Sequence, residues 1–138
     1  MKIELAPFDK DHLDALEGRR EILFSEKGVY YTILGDGKKA GIVGFLPAKF
    51  PERAGFVQIV IAPDHRGRGL VGAAEDLLAR KHRLRVLYAT IKNGNIASIR
   101  AHAKAGFVMM TEEELRGPRS KGLLQADELR MKKEYGEN

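Results

Sequence analysis

The chain has 138 residues, of which 43% are hydrophobic and 31% are charged, and it contains no cysteine. That length suits one hydrophobic core, so residues 1–138 are expected to form a single domain. The composition excludes disulfide bonds and thiolate zinc sites, and it is typical of a cytoplasmic protein. No apolar run reaches the roughly 20 residues that a membrane span needs, and the N-terminus lacks the apolar core of a signal peptide.

The net charge of +5 arises entirely within residues 51–105. This segment carries ten basic and four acidic side chains, whereas residues 1–50 are balanced and residues 106–138 are slightly acidic. The surplus favours a polyanionic ligand, either a nucleic acid or a phosphate-bearing small molecule, although part of it is an ordinary solvated basic face. Aromatic residues are not interleaved with the basic ones, which disfavours nucleic acid.

The N-terminal part of the chain predicts a strand followed by two short helices. Residues 2–5 are β-like, and Asp9 or Asp11 is placed to cap the first helix. A second short helix is expected over residues 19–26, with Gly28 as its C-cap.

A β-hairpin and then a strand-turn-helix unit come next. The hairpin is predicted from Val29–Leu34 and Gly41–Leu46, which are joined by a Gly-Asp-Gly turn. Phe56–Ile61 has the composition of a buried strand, and a helical pattern of apolar residues begins near Leu70. The turn between that strand and that helix is rich in glycine, at Gly67, Gly69 and Gly72.

This glycine-rich turn is predicted to bind a phosphate. Glycines at a helix N-terminus leave backbone N–H groups open to an anion, and the helix dipole favours negative charge there. Arg66 and Arg68 add positive charge at the same place. A P-loop is excluded because Leu70 follows Gly69, and the Gly-x-Gly-x-x-Gly string lacks the acidic residue that a dinucleotide fold places about 20 positions on. The alternative is a turn that binds nothing.

The next two elements are predicted to be a strand and a capped helix. Val86–Ile91 follows the preceding helix at the distance of a βαβ crossover, so it is expected to lie parallel to residues 56–61. Asn95 or Ser98 can cap a second helix, which ends near Gly106.

The C-terminal part predicts two strands around a charged loop. Residues 107–110 form the first strand, and Leu129 and Met131 alternate with charged residues in a half-buried closing strand. Residues 111–122 are expected to be a loop that is held by internal salt bridges or, alternatively, that faces a substrate.

Two of these motifs resemble signatures of the GNAT superfamily of N-acetyltransferases. Arg66-Gly-Arg-Gly-Leu-Val71 is similar to its acetyl-CoA-binding motif, Gln/Arg-x-x-Gly-x-Gly/Ala. Residues 95–107 resemble the second signature, a helix that opens with asparagine and ends in Gly-Phe. The resemblance covers about residues 3–133. Two positions depart from the pattern: Val71 replaces the usual glycine or alanine, and His102 stands where many members have tyrosine.

The resemblance implies an α/β fold with a mixed sheet. The sheet would be mostly antiparallel and flanked by helices, with one parallel strand pair splayed apart at the acetyl-CoA site. It also implies an acetyl-CoA-dependent N-acetyltransferase that needs no metal. The implied cofactor contacts are Asn95, the backbones of Val60 and Ile61, and the turn residues Arg66, Gly67, Arg68, Gly69, Leu70, Val71 and Gly72.

The resemblance also suggests a proton donor. His102 occupies the position of the tyrosine that often protonates the CoA thiolate, and an imidazole that titrates near neutrality can do that work. The alternative is that a lone histidine in a helix only packs. Tyr88, Tyr30 and Tyr31 are further candidates. The sequence offers no clear general base, because Gln58 stands where some members carry a glutamate.

The expected partners are acetyl-CoA and an amine acceptor, with neither a membrane nor a specific nucleic acid. The short segment Phe8–Gly28 would form one wall of the acceptor site, which favours an open groove and a peptide or polyamine over a small buried amine. Two other functions stay open, a non-catalytic acyl-CoA-binding regulatory module and a nucleic-acid binder. The sequence does not distinguish a monomer from a homodimer.

Overall fold

The computed structural model describes residues 1–136 and contains one seven-stranded sheet with the order β1-β2-β3-β4-β5-β7-β6. The strands are β1 (Ile3–Pro7), β2 (Val29–Gly35), β3 (Lys38–Pro47), β4 (Ala54–Ile61), β5 (Val86–Lys92), β6 (Val108–Met109) and β7 (Glu128–Glu134). The α-helices are α1 (Lys10–Ala15), α2 (Leu70–His82), α3 (Ile96–Lys104) and α4 (Glu112–Ser120). This mixed α/β architecture is the predicted fold class.

The parallel pair of strands lies in the middle of the sheet. β4 and β5 run parallel, as predicted, and every other neighbouring pair is antiparallel. Their pairing covers only three residue pairs, from Ala54 with Val86 to Phe56 with Tyr88. Each strand continues beyond the last pair, β4 to Ile61 and β5 to Lys92. We call the divergence of these two strand ends the splay.

Each face of the sheet has its own hydrophobic core. Successive strand residues point to opposite faces, so Val43 packs in one core and Ile42 in the other. The larger core lies under α2 and α3 and includes Leu78 and Phe107. The smaller core lies under α1 and includes Leu13. The splay lies within the sheet, between the two faces that carry these cores.

The predicted helix over residues 19–26 is wrong. Only a 3-10 turn forms, at Arg19–Glu21, and the chain is extended from Ile22. The Tyr30 hydroxyl accepts a hydrogen bond from the Ser25 N–H and donates one to the Leu23 carbonyl, which holds this segment out of a helix. Gly28 is not a C-cap, because no helix ends there. A Cβ at this position would lie 2.5 Å from the Tyr30 Oη, so the glycine makes room for the Tyr30 side chain.

The predicted loop over residues 111–122 is also wrong, because most of it forms α4. Thr111 and Glu114 form a capping box, in which each side chain accepts a hydrogen bond from the backbone N–H of the other residue. Leu115 is buried beneath the helix. The expected internal salt bridge does exist, between Arg119 and Glu112 at 3.0 Å. Pro118 and its preceding glycine made the segment resemble a loop.

Candidate functional site

The glycine-rich turn forms an open backbone surface at the start of α2. Gly67 and Gly69 have φ of +75° and +74°, a left-handed conformation that favours glycine. A Cβ at either position would meet nothing within 4 Å, so the space above both is free. Gly69 is the N-cap of α2 and provides no side-chain hydrogen bond to its first turn. The backbone N–H groups of that turn are therefore open to an anion, as the sequence predicts. We call residues 66–72 the cradle.

Gly72, at the end of the cradle, has a packing role of its own. A Cβ there would lie 2.9 Å from the Cβ of Ala105, which follows α3. The absence of a side chain thus lets α2 approach the end of α3 closely. Val71 also packs against the larger core. The unusual Val71-Gly72 order of the sequence therefore has a structural explanation in helix packing.

The two arginines of the cradle differ in their availability. The Arg66 Nε donates a hydrogen bond to the Ile61 carbonyl at 3.1 Å, and its Nη1 lies 3.8 Å from a Glu17 carboxylate oxygen. Arg68 is exposed and has no ion pair or side-chain hydrogen bond to any of residues 1–136. It borders a cavity of about 280 Å³ that is also lined by His65. Arg68 is thus the cradle arginine that is free for a ligand.

The splay leaves one edge of β4 without a partner strand. Val60 and Ile61 pair with Ile42 and Gly41 of β3 on their other edge, but no strand of the described chain pairs with them on the β5 side. The Ile61 carbonyl is already an acceptor for Arg66. The open edge is the place where the sequence predicts backbone contacts to a ligand.

Tyr88 is the tyrosine that stands at the base of the splay. It belongs to the last β4–β5 pair, and its ring centroid lies 5.4 Å from that of Phe56. Its hydroxyl has no hydrogen-bond partner within residues 1–136. In contrast, the hydroxyls of Tyr30 and Tyr31 are bonded to Leu23 and His82. Tyr88 is therefore the candidate proton donor whose hydroxyl is free.

His102 lies in the core between α2 and α3 and not at an open surface. Its side chain is only 4% exposed, and its Nε2 lies 2.7 Å from a carboxylate oxygen of Glu75, which is itself fully buried. Its Nδ1 lies 2.9 Å from the Ser98 carbonyl oxygen. Both ring nitrogens are engaged, so this arrangement leaves neither one for a thiolate. This placement favours the packing alternative, and a catalytic role for His102 stays a prediction.

The protonation of this buried pair differs from that of exposed groups. Burial raises the pKa of the Glu75 carboxyl, and the hydrogen bond from His102 opposes this only in part. Burial alone would lower the pKa of His102, but the hydrogen bond to Glu75 and its charge raise it above the ordinary value. The second carboxylate oxygen of Glu75 has no hydrogen-bond partner among residues 1–136. The pKa of each group is thus higher than its ordinary value, so the fold favours the protonated forms of the pair.

Gln58 and Asn95 both have structural partners. The Gln58 side-chain oxygen accepts a hydrogen bond from the Leu23 N–H at 2.9 Å, which ties the segment after α1 to β4. The Asn95 side-chain oxygen accepts one from the Ser98 N–H at 3.2 Å, so the predicted cap of α3 is confirmed. A contact between Asn95 and a cofactor stays a prediction.

The segment Phe8–Gly28 carries an apolar surface. A groove of about 510 Å³ runs beside α1, and Leu23 and Phe24 line it with their side chains largely exposed. Phe24 stacks between Phe8 and Tyr30, with ring centroids 5.6 and 4.9 Å apart. This apolar groove is therefore next to the β4 face that carries Gln58.

Sequence reasoning missed two residues of this region, Glu75 and Arg130. Glu75 stands in the apolar pattern of α2, where a buried acid signals a partner, but His102 lies 27 positions away. Arg130 stands at an alternating position of a closing strand, and such residues usually face solvent. No sequence signal connects it with Phe56, over whose ring its guanidinium lies.

Two further findings concern residues 1–136 as a whole. No helix among them is both long enough and apolar enough to cross a membrane. No three acidic or histidine side chains in this part of the chain are grouped so that they could hold a metal ion.

Comparison with known proteins shows what the chain is similar to. Its sequence matches the acetyltransferase (GNAT) family over residues 1–107. The structure is similar to that of the Campylobacter jejuni N-acetyltransferase PseH in complex with acetyl coenzyme A. The TM-score is 0.67 and the identity 10%, with 98% of this chain and 100% of that chain covered. No curated protein sequence matches the chain.

Two other solved structures share the fold. A Bacillus subtilis acetyltransferase in complex with CoA has a TM-score of 0.67 and 19% identity, covering 98% of this chain and 99% of that chain. A spermidine N-acetyltransferase SpeG chimera from Vibrio cholerae and hSSAT has a TM-score of 0.67 and 18% identity, covering 97% and 96%. At such identities the likeness establishes the fold.

The buried Glu75–His102 pair yields a prediction about stability. His102→Phe leaves the Glu75 carboxyl unpaired in the core and should cost about 3 kcal/mol of unfolding free energy or more. The double variant Glu75→Leu/His102→Phe replaces both groups by apolar ones and should lie closer to the parent. Urea unfolding at pH 7 of the parent and both variants measures this.

The pH dependence of the unfolding free energy provides a second test of the Glu75–His102 pair. Because the folded state raises the pKa of both groups, the stability that they contribute is present below their unfolded values and is lost as pH rises through the folded ones. The parent should therefore lose stability relative to the double variant as pH rises above about 6.5, the ordinary pKa of histidine. A stability difference that does not change as pH rises would contradict the raised pKa values.

Proposed function

Since the chain belongs to the acetyltransferase (GNAT) family, we propose that it moves an acetyl group from acetyl-CoA to an amine of its acceptor. The observation that carries this proposal is the open cradle at the start of α2, which adjoins the unpaired edge of β4 at the splay. In this proposal residues 1–138 act as a single catalytic domain.

The cradle is assigned to the pyrophosphate of CoA. The backbone N–H groups of residues 67–72 would donate hydrogen bonds to it, and the dipole of α2 favours its negative charge. Arg68, which is free of other partners, adds a charge-assisted contact. Arg66 shapes the turn through its bond to Ile61 and adds positive potential. Asn95 is assigned to the same ligand at the start of α3.

The unpaired edge of β4 is assigned to the thioester arm of CoA. Ile61 offers its backbone N–H there, because its carbonyl accepts the hydrogen bond from Arg66 and the Val60 carbonyl faces Gly41 of β3. Bound acetyl-CoA supplies the activated acetyl group, which the amine takes with loss of a proton while the thiolate leaves. Tyr88, whose hydroxyl is free at the base of the splay, is placed to give that thiolate its proton.

A steady-state assay tests the activity. We expect release of free CoA thiol from acetyl-CoA in the presence of a panel of amines, and acetylation of at least one amine by mass spectrometry. Calorimetry with CoA and dephospho-CoA should give measurable heat without any acceptor. Binding without any acetylation would instead indicate the non-catalytic acyl-CoA-binding module, and a lack of binding would contradict the proposal.

The cradle gives a prediction with a matched control. Gly69→Ala places a methyl group in the space assigned to phosphate and should weaken CoA binding about tenfold or more, which is 1.4 kcal/mol. Gly122→Ala is the control, because Gly122 has φ of +73° and equally open space above it, but lies after α4. Both substitutions cost about 1 kcal/mol in backbone strain. Equal CoA affinities of the two variants would exclude the cradle as the phosphate site.

Tyr88→Phe tests the proton donor. We expect turnover to fall about a hundredfold, which is the usual effect of losing one general acid, while the affinity for acetyl-CoA stays unchanged. If the variant and the parent have the same turnover across the pH range, Tyr88 does not take part in proton transfer.

A further inference from the structure

Arg130 occupies an unusual place over the splay. Its neighbour on β7, Met131, packs in the larger core, so Arg130 projects from the opposite face of the sheet. Its partner across the strands is Thr90 of β5, two residues beyond the last β4–β5 pair at Tyr88. The side chain therefore begins on β7, next to the diverging strand end of β5.

Two contacts fix the orientation of its guanidinium. The Arg130 Nε donates a hydrogen bond to the Thr90 hydroxyl oxygen at 3.0 Å. The Cζ atom lies 4.9 Å from the centroid of the Phe56 ring on β4, in a cation–π contact. The side chain thus spans from β7 over β5 to β4. Because the Arg130 side chain is already held on both sides, it loses less conformational entropy when a ligand binds.

The terminal nitrogens of this guanidinium have no protein partner. Neither Nη1 nor Nη2 of Arg130 forms a hydrogen bond or ion pair with any of residues 1–136. The nearby acid, Glu128, accepts a hydrogen bond from the Gln125 N–H and lies 4.0 Å from Lys92. In contrast, Arg119 uses its guanidinium on Glu112 and on backbone carbonyls.

The surroundings favour an anion at this position. Arg130 is half-buried, and burial lowers its pKa, which means that its charge is incompletely solvated. The adjacent cation on this face, Lys132, is already neutralised by Glu114 and Glu134. A planar guanidinium with two free nitrogens on one side matches a carboxylate, which it binds through two parallel hydrogen bonds.

We propose that Arg130 binds a carboxylate of the acceptor, so that the acceptor is an amine that also carries a carboxylate, as an amino acid does. This inference rests on the proposed acetyl transfer and names its substrate class. A carboxylate held over Phe56 would direct the amine of the same molecule toward the splay, where the hydroxyl of Tyr88 lies. The positive charge of Arg130 also disfavours a polyamine at this site.

The test compares matched acceptors and matched variants. The acceptor pair is L-phenylalanine and L-phenylalaninamide, which differ in the carboxylate, supplemented by L-glutamate, spermidine and phosphoethanolamine. The variants are Arg130→Gln, Arg130→Lys, and the control Arg116→Gln. Arg116 is an exposed arginine without a side-chain partner, on α4. Circular dichroism and CoA calorimetry verify that each variant is folded and keeps its cofactor site.

The parent should prefer the amino acids over the amide and over spermidine. In Arg130→Gln the KM for the amino acids should rise about tenfold to a hundredfold, as expected for the loss of a charge-assisted pair, while the values for the amide stay unchanged. Arg130→Lys should recover only part of this loss. The control Arg116→Gln should have the same KM values as the parent. A preference for the amide or spermidine, or an acid preference that survives Arg130→Gln, would overturn the inference.

An equilibrium measurement separates this inference from the acetyl transfer itself. Calorimetric titration of the CoA-loaded protein with L-phenylalanine should give heat with the parent and Arg116→Gln but not with Arg130→Gln. If that pattern appears without turnover of any acceptor, the proposed catalysis fails while the carboxylate site stands. If no amino acid binds or is acetylated, or phosphoethanolamine is preferred, the carboxylate assignment fails even when acetyl transfer to other amines is observed.

Discussion

The early end of the parallel pairing between β4 and β5 is the constraint on which the site depends. A strand edge inside a sheet normally satisfies its backbone groups on its neighbour, and unpaired buried groups cost free energy. Here the pairing ends at Phe56 and Tyr88, although β3 and β7 continue to pair with the outer edges of the two strands. The sheet therefore has a gap at its centre, and the gap is bordered by groups that can bind a ligand.

Contacts between α2 and α3 hold the first turns of α2 against the end of α3. Gly72 allows α2 to approach Ala105, and the Glu75–His102 pair joins the two helices in the core. Lys133 of β7 adds a third connection, because its ammonium donates hydrogen bonds to Asp76 and to the Ala105 carbonyl. A buried charged pair is rarely a large source of stability, but it does define one register for the helices. The position of the cradle follows from that register.

Local sequence patterns predicted most of the fold. The features that they failed to predict depend mostly on contacts between side chains that are distant in the sequence. The composition of residues 56–61 and the spacing after Leu70 were sufficient for β4, α2 and the parallel pair. The helix expected over 19–26 failed because the hydroxyl of Tyr30 competes for its backbone groups. The Thr-x-x-Glu capping box in the sequence indicates the start of α4, whereas Pro118 later in the same segment is unfavourable for a helix.

The same distinction holds for the candidate site. The cradle lies within one short stretch, so its open backbone could be predicted from glycines and arginines alone. The environment of His102 could not, since it depends on Glu75 in another helix. Arg130 was missed for the same reason, because its contacts lie on two other strands.

The gap in the sheet also affects the thermodynamics of the whole protein. Only three residue pairs join β4 to β5, so the backbone bonds between the two halves of the sheet are few. A molecule that fills the gap binds the folded chain and not the unfolded one, and it bridges both halves. By mass action, such a ligand at 100 times its dissociation constant would add about 2.7 kcal/mol to the apparent stability. The apparent stability of the folded chain would then vary with the concentration of whatever molecule occupies the gap.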